Sequence, residues 1–290
     1  MHISIESAFK NFLETDCKKT KKQRKMVLAS KDSEALHQMR VSLRRIRSVF
    51  FTFQSLIPKK VTKDMDNKIA MLASFCDKAR DIDVYIETYL QKKEGLTSAQ
   101  KSLYKIALYN REKEYKKIQN YLKSHKYKKF ITEFEEWVQT KKWRKELKKK
   151  QLSALQEDIT PFAGNFLKNY TNELLAYGST IMTELEDKQA HKLRIKLKKL
   201  RYATDLFAPY LQKEHTPRKK LKALQDTLGK LHDMYVVKEL HKLFLQSQTD
   251  EELFAYTQKI EADNEKRKKE LQEAFFREWK DFKEIAQSVD

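Results

Sequence analysis

Glycine and proline are scarce in this chain, four of each in 290 residues, and cysteine occurs only twice. β-Sandwiches, β-barrels and glycine-fingerprint α/β folds need turn residues about every ten positions, so this shortage excludes them. Cys17 and Cys76 have no Cys or His at ligand spacing. Zinc sites and disulfide frameworks are therefore not expected, and the thiols read as buried or idle. No uncharged run exceeds the eleven residues Ser48–Pro58, short of the ~20 that a membrane span requires. The start of the chain, MHISIESAFKNFLETD, has no apolar signal region, so a cytoplasmic location is expected. P-loop, nucleophile-elbow and HExxH signatures are missing too. Acid is the last deficit: 41 Asp+Glu stand against 61 Lys+Arg, a formal charge of +20. Such an excess points to a polyanionic partner: nucleic acid, an acidic membrane surface or another phosphate polymer.

What remains is a chain with 40% hydrophobic and 35% charged residues, apolar enough to bury a core. It reads as all-α. Helical patterning runs over 4–29, 32–56, 60–92, 97–123 and 126–150, then over 165–187, 189–211, 217–247 and 250–287. Turn chemistry falls between these stretches, at Lys31-Asp32-Ser33, Pro58, Gly95, Pro161/Gly164 and Pro209/Pro217, where caps and breakers belong. In 32–56, Met39, Leu43, Ile46, Phe50 and Phe53 recur at steps of four and three, one apolar stripe. Long helices joined by short connections stack antiparallel into bundles. The lysine-dense 141–150 reads as a solvated helix face anchored by Trp143.

An internal repeat divides the chain into a first half, 1–150, with an extra basic helix over 126–150, and a second half, 151–290. HQMRVSLRRIRS (37–48) aligns without a gap on HKLRIKLKKLRY (191–202), at an offset of 154. KARDIDVYIE (78–87) aligns on KLHDMYVVKE (230–239) at 152, and Ile106, Asn110 and Lys113 align on Ile260, Asn264 and Arg267 at 154. Three anchors in order at a nearly constant offset predict one four-helix unit, repeated.

At 100° per residue, His37, Arg40, Arg44 and Arg47 lie within about 80° of one another, beside the apolar stripe. His191, Arg194, Lys198 and Arg201 reproduce that ribbon in the second half. No acid lies between Glu34 and Asp64, or between Lys188 and Asp205, to relieve the like charges. Two strained ribbons therefore suggest an anionic ligand. Arginine suits bidentate contact with phosphate oxygens, whereas lysine acts as a point charge. A basic helix face is more often merely solvated, but here the spacing repeats and a histidine sits at the same place in both ribbons. Asp81, Asp83 and Asp233 read as partners that hold basic side chains in place. Phe50, Phe53 and Phe75 read as core.

At these residues the sequence resembles the CHAD family, the conserved-histidine α-helical domain. The resemblance rests on HQMRVSLRRIR (37–47), RDIDV (80–84), HKLRIKLKKLRY (191–202) and LQDTLGKLHD (224–233), and spans about residues 5–287. Two positions depart from the repeat: Asp77 stands where the second half has Gly229, and Tyr235 replaces the second Asp of the first-half motif. The resemblance implies one domain of two pseudo-symmetric four-helix bundles around a central basic cavity that binds inorganic polyphosphate. The implied lining is His37, Arg40, Arg44, Arg47, Arg80, His191, Arg194, Lys198 and Arg201. Arg45 and Lys199 match the family's doubled basic position but lie about 100° round the helix from the ribbon. Lys78, Lys222 and Lys230 flank the second motif as edge contacts.

Some family members carry a fused triphosphatase domain, for which this chain has no room, so a non-catalytic protein without metal or cofactor is expected. Recruitment to polyphosphate granules would follow from binding. Nucleic acid is the alternative partner, although the aromatics lie in apolar stripes and no helix-turn-helix or RNA-binding signature occurs. A phosphohydrolase using a metal held by His37, His191, Asp81 and Asp233 is a third reading, and the chain lacks the carboxylate cluster it would need.

Overall fold

The computed structural model describes residues 2–90, 95–181, 185–212 and 216–288. The described residues form helices joined by short connections: α1 (Ile5–Ser30), α2 (Ser33–Thr52), α3 (Lys59–Phe75), α4 (Asp77–Tyr85), α5 (Ser98–Lys123), α6 (His125–Gln139), α7 (Lys149–Ala154), α8 (Ile159–Ser179), α9 (Asp187–Phe207), α10 (Arg218–Leu245) and α11 (Glu251–Ser288). Their one β-like contact is an isolated bridge between Ser4 and Asp158. The fold is all-α. It divides into two compact units, one of residues 1–84 and 109–162, the other of residues 85–108 and 163–290.

In the first unit, α1 starts at Ser4, whose hydroxyl accepts the Ser7 N–H, and α2 starts at Asp32, whose carboxylate accepts the Glu34 N–H. These caps satisfy donors that have no partner within their helix. The α2 stripe is buried as its spacing predicts, with Met39, Leu43, Ile46, Phe50 and Phe53 all in the core. Phe9 of α1 meets Phe53 at 5.3 Å and Trp143 at 5.1 Å between ring centroids. Burial of each such ring contributes about 1.5–3 kcal/mol, which locks α1 onto α2.

The helix expected over 60–92 is interrupted. The Cys76 N–H bonds to the Ala73 carbonyl at 3.0 Å, a tight turn that separates α3 from α4. Downstream of α4, a π-helical turn occupies Ile86–Leu90, and residues 91–92 lie outside the described residues. The stretch 126–150 divides as well, into α6, a 3-10 turn over Lys142–Glu146 and α7. The segment around Trp143 is therefore no free helix face. Trp143 is fully buried, and Lys141 and Arg144 both donate to the buried carboxylate of Glu6, at 2.6 and 2.7 Å. Burial alone would raise the Glu6 pKa, but these two cations hold it below its ordinary value.

Pro161 and Gly164 do not interrupt the chain. They lie inside α8, where Pro161 occupies the first turn and its missing N–H costs nothing. Asp158 caps that turn by accepting the Thr160 N–H at 2.7 Å. Residues 182–184, at the expected end of this helix, lie outside the described residues.

In the second unit, α9 packs on α10 and α10 on α11. Gly178 of α8 faces Trp279 of α11 so closely that a Cβ would fall 1.9 Å from the indole ring. Only glycine lets that ring seat itself, because close-packed interiors hold no spare methyl volume. The buried pair Tyr85 and His241 is hydrogen-bonded, Oη to Nε2 at 2.8 Å, while His241 Nδ1 lies 2.7 Å from Glu261. Glu261 accepting from Nδ1–H leaves Nε2 to accept from the tyrosine, which fixes one neutral tautomer. No helix among the described residues is long and apolar enough to cross a membrane.

Candidate functional site

The first ribbon lies on α2 of the first unit with a graded exposure. Arg40 is 7% exposed, His37 and Arg44 are half-buried, and Arg47 faces solvent. Angle round the helix does not set this grade, since Arg40, Arg44 and Arg47 each directly follow a stripe residue, Met39, Leu43 and Ile46. Arg80 of α4 is close enough to depress the His37 pKa. Burial is the larger cause, with Arg40 and Arg44 adding to the effect. Three guanidinium groups, Arg40 and Arg44 of α2 and Arg80 of α4, thus lie within electrostatic reach of one imidazole.

The like charges are not left unrelieved, which corrects the expectation drawn from the missing acids within each helix. Arg40 donates to Asp77, and Arg44 lies 4.0 Å from the same carboxylate. Asp66 of α3 accepts from Arg47 at 2.8 Å. Arg45 is committed elsewhere, donating at 3.1 Å to the buried Asp16 of α1, so its role is packing of α1 against α2. Lys78 is exposed, 3.8 Å from Glu114. Local sequence could not show these pairs, since Asp66 and Asp77 lie 19 and 37 residues away from their arginines.

Asp83 is buried, accepting from Arg111 Nε at 2.6 Å and from the Tyr115 hydroxyl at 2.8 Å. Burial nevertheless keeps its pKa above the ordinary value, against the opposing pull of those two donors. Arg111 also stacks on Tyr115, with its guanidinium carbon 4.3 Å from the ring centroid. Asp83 therefore ties α4 to α5 within this unit. Periodicity did not reveal Arg111 or Tyr115 as its partners.

The second ribbon lies on α9. His191 and Arg201 are exposed, and Arg194, Lys198 and Lys199 are half-buried. Arg201 donates to Gln225 at 3.1 Å and lies 3.9 Å from Asp205. Gln225 in turn donates to the Leu197 carbonyl at 2.7 Å, joining α10 to α9. The His191 ring lies 5.8 Å from that of His232 on α10, a partner that the KLHD block contained but the ribbon geometry did not single out. Lys222 and Lys230 are exposed on α10.

Both cysteines are buried and free, and burial pushes their thiols up to about 12, which keeps them protonated and unreactive. Phe75, expected in the core, is 40% exposed and stacks on Tyr121 at 4.6 Å. Among the described residues, no three His, Cys, Asp or Glu side chains gather closely enough to hold a metal ion.

A family model, the CHAD domain, matches residues 12–242. None of the curated proteins is significantly similar to the chain in sequence. The fold is similar to the crystal structure of the CHAD domain from the plant Ricinus communis, with a TM-score of 0.76, at 20% identity, over 96% of this chain and 92% of that one. It is also similar to PptA from Streptomyces chartreusis, with a TM-score of 0.67, at 16% identity, over 96% of this chain and all of that one.

Proposed function

The chain belongs to the CHAD family, and from that premise we propose that it binds inorganic polyphosphate through the basic ribbons of α2 and α9, without turning it over. The observation that carries this reading is the repeated quartet of one His and three cations on α2 and on α9. Both quartets lie beside a buried stripe that fixes their direction. Polyphosphate offers about one negative charge per unit and no bases, so recognition reduces to charge and bidentate hydrogen bonding. Each contact contributes about 1.5–3 kcal/mol where partly desolvated and about 0–1 kcal/mol where exposed. Several contacts along one polymer chain then add up to tight binding. Release of condensed counterions makes the affinity fall steeply with salt. In a cell, such binding would recruit the protein to polyphosphate granules in the cytoplasm.

The test is calorimetric titration with polyphosphate at two salt concentrations, comparing wild type with the double variant Arg44→Ala/Arg201→Ala. Both side chains are partly exposed, so the fold survives, as circular dichroism will verify. Loss of two charge-assisted contacts should weaken binding about tenfold or more. Unchanged affinity would remove the ribbons from the site. A DNA oligonucleotide that polyphosphate fails to displace would make nucleic acid the better answer.

A further inference from the structure

The second unit contains a cavity of about 340 Å³ framed by α9, α10 and α11. Its floor is apolar, built from Leu228, Leu231 and Met234, with Tyr235 as an aromatic wall. Its mouth is cationic: Lys188, His191 and Arg194 line the α9 side. Two further lysines at the rim already have acids beside them, Lys238 at 2.6 Å from Glu265 and Lys268 at 3.0 Å from Asp187. Among the lysines, arginine and acids of the lining, four cations stand against two acids.

A bare phosphate polymer has no use for such a floor. Apolar walls with a few charged groups at one end suit a ligand of two parts, a flat or apolar body and an anionic group. The repeat points the same way. Tyr235 stands where the first half has the buried Asp83, and it is 61% exposed, so its ring is open to a ligand. Two residues upstream of Leu231, a Cβ at Gly229 would meet no atom within 4 Å, so the α10 surface there is open.

We propose that this cavity binds a nucleotide, with the base against Tyr235 and Met234 and the phosphates toward Lys188, His191 and Arg194. The site shares two ribbon residues with the polyphosphate reading but does not depend on it, because the floor and the aromatic wall select the ligand.

The test compares ATP, tripolyphosphate and adenosine by calorimetry in metal-free buffer, on the full chain. Tripolyphosphate is at least as negative as ATP, so charge alone predicts that it binds as tightly. Base stacking on Tyr235 should instead make ATP bind about tenfold more tightly than tripolyphosphate. In Tyr235→Ser, an exposed position whose change leaves the fold intact, that preference should shrink to within about twofold. Affinity for tripolyphosphate and long polyphosphate should be unchanged. Equal binding of ATP and tripolyphosphate by wild type would overturn the proposal, as would an ATP preference that persists in Tyr235→Ser. A chain that prefers ATP but fails to bind long polyphosphate would overturn the polyphosphate reading alone.

Discussion

Arg40 donates a hydrogen bond to Asp77, and the position that Asp77 occupies in the first repeat is held by Gly229 in the second. The matching arginine, Arg194, therefore cannot receive a carboxylate from that position. The two ribbons share a spacing but differ in this built-in counter-charge. On the polyphosphate reading, the Asp77 carboxylate in the first ribbon competes with the ligand for Arg40.

On the polyphosphate reading, Asp77→Asn should therefore tighten binding by up to about fivefold, given the value of a half-exposed ion pair. The same change should cost stability by about 1–3 kcal/mol, since it leaves the buried Arg40 without its carboxylate. Titration and urea denaturation of one protein preparation check both signs. Weaker binding in Asp77→Asn would show that the carboxylate positions Arg40 for the ligand and does not compete with it.

On the same reading, His37 should give binding a pH dependence. Burial and the charges of Arg80, Arg40 and Arg44 hold its pKa below the ordinary 6.5. A bound polyanion offsets those positive charges and favours the protonated ring. Affinity should then rise as the pH falls below 6.5, with protons taken up on binding. Calorimetry in two buffers of different ionisation enthalpy reads that uptake directly. His37→Asn should reduce it, and an unchanged uptake would assign the proton to another group.

Asp83→Asn should destabilise the fold by about 3 kcal/mol, because it leaves Arg111 and the Tyr115 hydroxyl facing an uncharged partner in a buried place. Urea denaturation monitored by circular dichroism measures the loss. The binding defect should be smaller than the stability defect, since the hydrogen bonds of Asp83 go to Arg111 and Tyr115 of α5.

His241 adds a second, independent pH effect, this time on stability. Burial lowers its pKa from 6.5, outweighing the opposing pull of Glu261. The folded state thus favours the neutral ring. Its contribution is present in full above pH 6.5 and is lost as the pH falls through the depressed folded value. Thermal melts from pH 7.5 down to pH 5 should show a falling melting temperature. His241→Gln should be less stable at pH 7.5 but flatter with pH; an equal slope in both proteins would place the titrating group elsewhere.

Helicity, the α2 stripe and the two quartets followed from the sequence because each depends on neighbours within a turn or two of helix. Spacing alone put Met39, Leu43, Ile46, Phe50 and Phe53 on one face, and that face is buried. The repeat placed His37 and His191 on corresponding helices for the same local reason. Where local chemistry competes, the reading from sequence was incomplete: Pro161 looked like a break but fits the first turn of α8, where no N–H is needed.

Tertiary structure alone decided which cations are available. Asp66 and Asp77 reach the α2 arginines from α3 and α4, Glu6 claims Lys141 and Arg144, and Asp16 claims Arg45. A net charge of +20 suggests a polyanionic partner and nothing finer, because a sum over the chain ignores where each charge lies. Coulombic pairing depends on distance across helices and on burial, and neither is written in spacing along one helix. The spacing set the direction of the arginines, and the packing of distant acids determined which of them are already paired within the protein.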